Sequence, residues 1–224
     1  MSSVKGKIVR LLGDAVLQRA RVVAADEVAP GFRRISLQGE GLQPLPGNKL
    51  QILLPSDDVR TYTPIAAREG VVLLGWQHAG GPGARWISDV EVGAEVRFVG
   101  PQRSLELPAG PVILLGDETS VAVAASFEVA RPGQVHAIFQ GGSVDALRAA
   151  AEAMGLRPAH VSSSGDTISA VEAVLASQAA LPGASVALTG GSEFVLAVRA
   201  ALRERGVRDI KLKTYWIPGR MGLD

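Results

Sequence analysis

The chain has 224 residues, with 23 Lys and Arg against 22 Asp and Glu for a net charge of +1, and 47% of its residues are apolar. A balance this close to neutral argues against nucleic acid or an anionic membrane as the main partner. Cys is absent, which excludes disulfides and thiolate metal centres, and the wide spacing of the three His residues (His78, His136, His160) argues against a multi-His metal site.

No apolar run reaches the length of a membrane span, so no integral membrane association is expected, and a reducing, cytoplasmic setting is compatible with the composition. Lys5 to Arg10 and then Leu11 and Leu12 read as a short charged helix or arm, without the apolar core of a signal peptide. From residue 19 onward, short β-branched or alternating runs are cut by Gly and Pro. Predicted strands cover 21–26, 32–37, 50–54, 60–65, 71–76, 95–99 and 105–107, with one helix at 83–90. Several short strands at close spacing point to an antiparallel barrel or sandwich. Beyond Gly110 strands and helices alternate. The strands are predicted at 112–115, 135–139, 159–162, 185–188 and 210–215, and the helices at 119–131, 144–154, 168–177 and 193–205. That repetition predicts a mostly parallel sheet covered on both faces. The fold class read from the sequence is therefore two-domain, β plus α/β. Pro108-Ala109-Gly110-Pro111 serves as the linker, giving domains 1–108 and 109–224.

Arg60-Thr61-Tyr62-Thr63-Pro64 is the most informative stretch. Alternation on a strand puts Arg60 and Tyr62 on one face. A guanidinium there can pair with a phosphate of a flavin tail, the phenol ring can lie against the isoalloxazine or ribityl chain, and Thr63 can donate to the ring edge. About twenty residues on, His78-Ala79-Gly80-Gly81-Pro82-Gly83-Ala84-Arg85-Trp86 opens a helix with small residues. Its N–H groups and dipole suit a pyrophosphate, with no side chain of Gly81, Pro82, Gly83 or Ala84 in the way. His78 is expected to touch the cofactor, not to shuttle protons.

In the second half, Gly116-Asp117-Glu118-Thr119 follows a buried-type strand. Gly116 lets a ligand approach the backbone, while Asp117 and Thr119 fit equally as helix caps. Thr189-Gly190-Gly191-Ser192-Glu193 also lies between a strand and a helix, at the same sheet edge, and fits a ligand loop or an ordinary capped turn. There is no G-x-G-x-x-G, so the residues alone identify no pyridine nucleotide. Ser162-Ser163-Ser164 fit a loop or an adenosine 2′-phosphate site, and no Arg accompanies them, which leaves NADH and NADPH both open. Tyr215-Trp216-Ile217-Pro218-Gly219-Arg220 closes the last predicted strand. Arg220 fits an anionic substrate or a solvated tail, and Lys213 and Lys49 fit the same two descriptions.

Taken together, these motifs resemble the siderophore-interacting proteins, flavin-dependent ferric-siderophore reductases of the ferredoxin–NADP reductase superfamily. The resemblance runs from about Arg21 to the C-terminus. It is carried by Arg60 to Pro64, His78 with Gly81 to Trp86, Gly100-Pro101 with Ser104, Gly116 to Thr119, and Tyr215-Trp216 with Gly219-Arg220. Arg103 departs from the family's Gly-Pro-x-Gly-Ser turn, and Gly190 to Glu193 departs from its usual Ala-Gly-Glu.

The resemblance implies a flavin-binding β-barrel followed by an NAD(P)H-binding α/β domain. FAD would be held by Arg60, Tyr62, Thr63, His78 and Gly81 to Ala84, with Thr119 and Tyr215 near the meeting of flavin and nicotinamide. NADPH or NADH would dock on Gly116, Asp117, Glu118 and Gly190 to Glu193, and reduced ferredoxin stands as an alternative donor. A ferric siderophore would be the substrate, met by Lys213 and Arg220. The short tail after Arg220 would leave out any extension that shapes the substrate pocket. The cofactor carries the chemistry, so no catalytic side chain and no protein-held metal is assigned. Two other readings remain: a flavin reductase serving another acceptor, and a non-enzymatic flavin or siderophore-binding module with weakened nucleotide docking.

Overall fold

The computed structural model describes residues 17–77 and 80–219. The expected N-terminal arm, His78 and Arg220 lie outside the described residues. The chain divides into two compact units, the first ending at Ser104 and the second starting at Leu105.

The first unit is an antiparallel sheet. Its strands are β1 (Gln18–Ala29), β2 (Phe32–Gln38), β3 (Lys49–Leu53), β4 (Val59–Tyr62), β5 (Ile65–Ala66), β6 (Val71–Trp76) and β7 (Glu95–Gln102), in the order β4-β3-β7-β1-β2-β6-β5. The two outermost strands, β4 and β5, are joined by only Thr63 and Pro64. Two residues cannot cross an open seven-stranded sheet whose strands lie about 4.8 Å apart, so the sheet is rolled into a barrel.

The sequence pattern predicts a single strand over 60–65; the structure breaks it after Tyr62 and resumes at Ile65. Pro64 has no N–H to give to a ladder, which explains the break. The strand expected at 105–107 is absent. Leu105 and Leu107 are buried singly, and their spacing imitates alternation. Carbonyls here are taken by a side chain instead of a strand partner: the oxygens of Leu107, Pro108 and Gly110 accept from the Arg131 guanidinium.

The helix α1 (Pro82–Asp89) seals this barrel by adding Trp86 and Ile87 to a core of Val22, Ile35, Leu50, Ile52, Leu73 and Phe98. Gly75 on β6 makes room for it, since a Cβ there would stand 2.1 Å from Ile87 Cδ1. Ile87 is buried and branched, so it cannot swing aside. Gly75→Ala should therefore cost about 1–3 kcal/mol by overpacking, read as a lower urea midpoint. An unchanged midpoint would show that α1 does not depend on this close approach.

The second unit is parallel. β8 (Val112–Gly116), β9 (Val135–Gly141), β10 (His160–Ser163), β11 (Ser185–Gly191) and β12 (Ile210–Trp216) lie in the order β10-β9-β8-β11-β12. Between them run α2 (Val121–Ala130), α3 (Val144–Ala153), α4 (Thr167–Ala180) and α5 (Ser192–Glu204). The predicted helix at 119–131 begins instead with a 3₁₀ turn at Glu118–Ser120, because Asp117 caps that turn before α2 starts. Val112 to Leu115 are fully buried, as a central parallel strand requires. Ile113, Leu115, Ile138, Val186 and Leu188 form one core with Val171 and Val174 of α4 and Val195, Val198 and Leu202 of α5. The winding reverses at β8, which has β9 on one side and β11 on the other. In such sheets, ligands bind outside the carboxyl ends of the strands at that reversal.

Candidate functional site

In the first unit, the structure brings the two predicted flavin elements together. Arg60 and Tyr62 share a face of β4, and both lie over Gly83 in the first turn of α1. A Cβ on Gly83 would stand 3.4 Å from Arg60 Cγ and 3.4 Å from the Tyr62 hydroxyl oxygen. Gly80 and Gly81 hold φ of +82° and +96°, a conformation that favours glycine, with nothing within 4 Å of where a side chain would begin. Pro82 opens the helix, no side chain caps its N-terminus, and no acid sits in its first turn. The positive end of the helix dipole is therefore uncompensated by the protein. Ala84 is buried beneath it. The opposite end of α1 is tied down by Arg33 of β2, which donates to the carbonyls of Ile87 (2.7 Å) and Ser88 (2.5 Å). No sequence signal marks that contact.

Arg60 donates to its neighbour's carbonyl at Val59 and lies 3.9 Å from the Asp58 carboxylate. The Tyr62 ring meets Trp86 at 5.3 Å between centroids, tilted by 48°. Burial pushes the phenol pKa well above its ordinary value, partly offset by the Arg60 charge, so Tyr62 stays neutral. Thr63 is buried just past the end of β4. Lys49 begins β3 and is half-buried.

In the second unit, Gly116 to Thr119 and Gly190 to Glu193 meet at the carboxyl ends of β8 and β11, and Trp216 joins them from β12. Asp117 is the tie. Its Oδ1 accepts from the Thr119 N–H at 3.0 Å and from the Thr119 hydroxyl, and its Oδ2 accepts from the Gly191 N–H at 2.7 Å and the Trp216 indole at 2.8 Å. The glycines of these loops are filled from within. A Cβ on Gly116 would strike Ser120 at 2.2 Å, one on Gly190 would meet the Asp117 carboxyl at 2.5 Å, and one on Gly191 would meet the Trp216 ring at 2.6 Å. Thr189 donates to Ser120 beneath them.

Ser192 and Glu193 begin α5, and Tyr215 is half-buried on β12. Lys213 stands opposite Thr189 in the β11–β12 register. Sequence reasoning missed Ser120 and the reach of Glu118 across to the loop after β9. There Glu118 Oε1 accepts from the Gly142 N–H at 2.7 Å. The Gly141-Gly142 pair, like Gly190-Gly191 at a strand's end, is the signal that could have drawn attention to it. Burial raises the Glu118 pKa above the ordinary carboxylate value; the Gly142 bond opposes this and the Asp117 charge adds to it.

Among the described residues no group of His, Cys, Asp or Glu is arranged to hold a metal, and no helix is long and apolar enough to cross a membrane.

No protein-family model matches the sequence, and no curated protein matches it at a significant level. Solved structures do. A siderophore utilization protein from T. fusca aligns over 93% of this chain and 95% of its own, with a TM-score of 0.66 and 20% identity. The siderophore-interacting protein from Aeromonas hydrophila aligns over 92% and 93%, with a TM-score of 0.66 and 21% identity. Phthalate dioxygenase reductase aligns over 92% of this chain and 69% of its own, with a TM-score of 0.69 and 17% identity. The chain therefore has the two-domain ferredoxin reductase-like fold that siderophore-interacting proteins share.

Proposed function

We propose that the chain is an FAD-dependent oxidoreductase that takes electrons from a pyridine nucleotide and delivers them to Fe(III) in a siderophore, releasing Fe(II). The observation that carries this reading is the meeting of Arg60, Tyr62 and the uncapped start of α1 over Gly83. A cation, a helix's positive end and bare glycine backbone in one place fit a pyrophosphate. The residues present thus fit FAD: Arg60 and Gly81 to Ala84 would hold its phosphates, and Tyr62 and Thr63 would border its ring and ribityl chain. Bound FAD would supply the conversion of a hydride's electron pair into single-electron transfers. The chain's own part is to bind, orient and shield. Half-buried Tyr62, held neutral, offers an apolar ring face and keeps its phenolic proton. No side chain is assigned an acid or base role. Lys213, with Arg220 beyond the described residues, would meet an anionic siderophore. The fold shared with siderophore-interacting proteins supports the choice of acceptor.

A second reading rests on Asp117. It takes up the Gly191 N–H at the start of α5, where a nucleotide phosphate would otherwise find a donor. That favours a flavin-binding module with weakened nucleotide docking.

The test uses FAD-loaded protein, reduced with NADH or NADPH under anaerobic conditions and then offered ferric siderophores, cytochrome c or a quinone. The proposal expects reoxidation by ferric siderophore, with Fe(II) captured by a chelator. Reoxidation by cytochrome c or quinone alone would transfer the chain to the general flavin reductases.

A further inference from the structure

The carboxyl-terminal rim of the parallel sheet supplies its own negative charge where a phosphate would seek donors. The loop after β8 carries Asp117 and Glu118, the first turn of α3 carries Asp145, Asp166 caps α4 through the Ser169 N–H at 3.1 Å, and the first turn of α5 carries Glu193. Segments 116–125, 140–147, 161–170 and 189–195, which hold these loops and helix starts, contain no Lys or Arg. Lys213 is on β12, three strands away from β9. That is about 14 Å at the usual strand spacing, beyond the reach of an exposed charge in physiological salt.

Two neutral groups wait at the same edge. Gln140 on β9 and Ser162 on β10 stand opposite each other in register. Both residues are more than nine-tenths buried, and neither the Gln140 amide nitrogen nor the Ser162 hydroxyl has a hydrogen-bond partner. They lie one residue short of the rim and bring no positive charge to it.

In nucleotide-binding sheets of this kind, an acid at the end of the second strand accepts from the adenosine ribose, whereas an Arg there serves a 2′-phosphate. The second strand here is β9, and it ends in Gly141 and Gly142 without an acid of its own. Glu118 fills the place from the neighbouring loop, its Oε1 2.7 Å from the Gly142 nitrogen and 2.6 Å from where a Gly141 Cβ would stand. We infer that the second unit selects a dinucleotide without a 2′-phosphate, NADH and not NADPH, with Glu118 as the residue that reads the ribose. This rests on the pyridine-nucleotide reading above. Burial lifts the Glu118 pKa, and a phosphate placed beside the carboxylate would raise it further.

The test is anaerobic stopped-flow reduction of the FAD-loaded chain by each nucleotide. NADH should exceed NADPH in second-order efficiency by about 100-fold, the order expected when like charges are juxtaposed. Glu118→Gln should cut that preference about tenfold, and Ser164→Arg, which adds a cation at the end of β10, should raise NADPH efficiency about tenfold. Equal use of the two nucleotides, or a preference for NADPH, would overturn the inference and leave the flavin reading standing. A preference unmoved in both variants would overturn the assignment to Glu118. Reduction by dithionite but by neither nucleotide would remove the pyridine-nucleotide reading itself, and this inference with it.

Discussion

Asp117→Ala should lower the stability of the second unit by about 3–4 kcal/mol. One buried carboxylate holds together the ends of three strands, accepting from Thr119, Gly191 and Trp216. Removing an acceptor leaves each buried donor with a desolvation cost of about 1–3 kcal/mol, more when the acceptor was charged. The Gly191 N–H is buried and bears the full cost. The Trp216 indole is 41% exposed and recovers part of its loss from water. Asp117→Asn keeps the shape but offers only one acceptor atom, so it should fall between the two. Urea unfolding of the intact chain measures the loss, and hydrogen exchange across 189–195 should show the β11 end and the start of α5 opening first. A variant within 1 kcal/mol of the parent would mean that the loops hold without this tie.

Arg60→Ala should weaken FAD binding by roughly 2 kcal/mol or more, about 30-fold, through loss of a charge-assisted contact to phosphate. The Asp58 carboxylate is the competitor for the guanidinium, but at 3.9 Å with Arg60 still 22% exposed that pair is loose. At that distance the pair makes no direct hydrogen bond, whereas a phosphate offers a charge-assisted one, so the cation is available to a ligand. Arg60→Lys should give an intermediate loss, since it keeps the charge and loses the planar fork. Fluorescence titration of apoprotein with FAD reads both variants. Unchanged affinity in Arg60→Ala would remove Arg60 from the site.

The sequence was most legible where local chemistry and global fold agree. Val112 to Leu115 reads as a buried parallel strand because a central strand has no solvent face to mark. Arg60 and Tyr62 read as neighbours because the strand period leaves them nowhere else to go. Gly81-Pro82-Gly83 announces a helix start through a fixed φ and missing side chains. The misreadings come from contacts distant in sequence. The alternation of Leu105 and Leu107 looks like a strand, and only Arg131, more than twenty residues on, shows that the Leu107 carbonyl is taken by a side chain. Asp117 looks like a helix cap and is one, but its second oxygen serves Gly191 and Trp216, 74 and 99 residues further along the chain. Glu118 gave no hint of reaching Gly142, because that contact depends on which strand lies next to β8.

The most direct test of the central claim is the visible spectrum of the purified chain, taken before and after incubation with FAD and desalting. The account predicts the two absorption bands of oxidised flavin, retained through desalting in near-stoichiometric amount by the parent chain and lost from Arg60→Ala. A well-folded parent chain that stays colourless after incubation with FAD would contradict it.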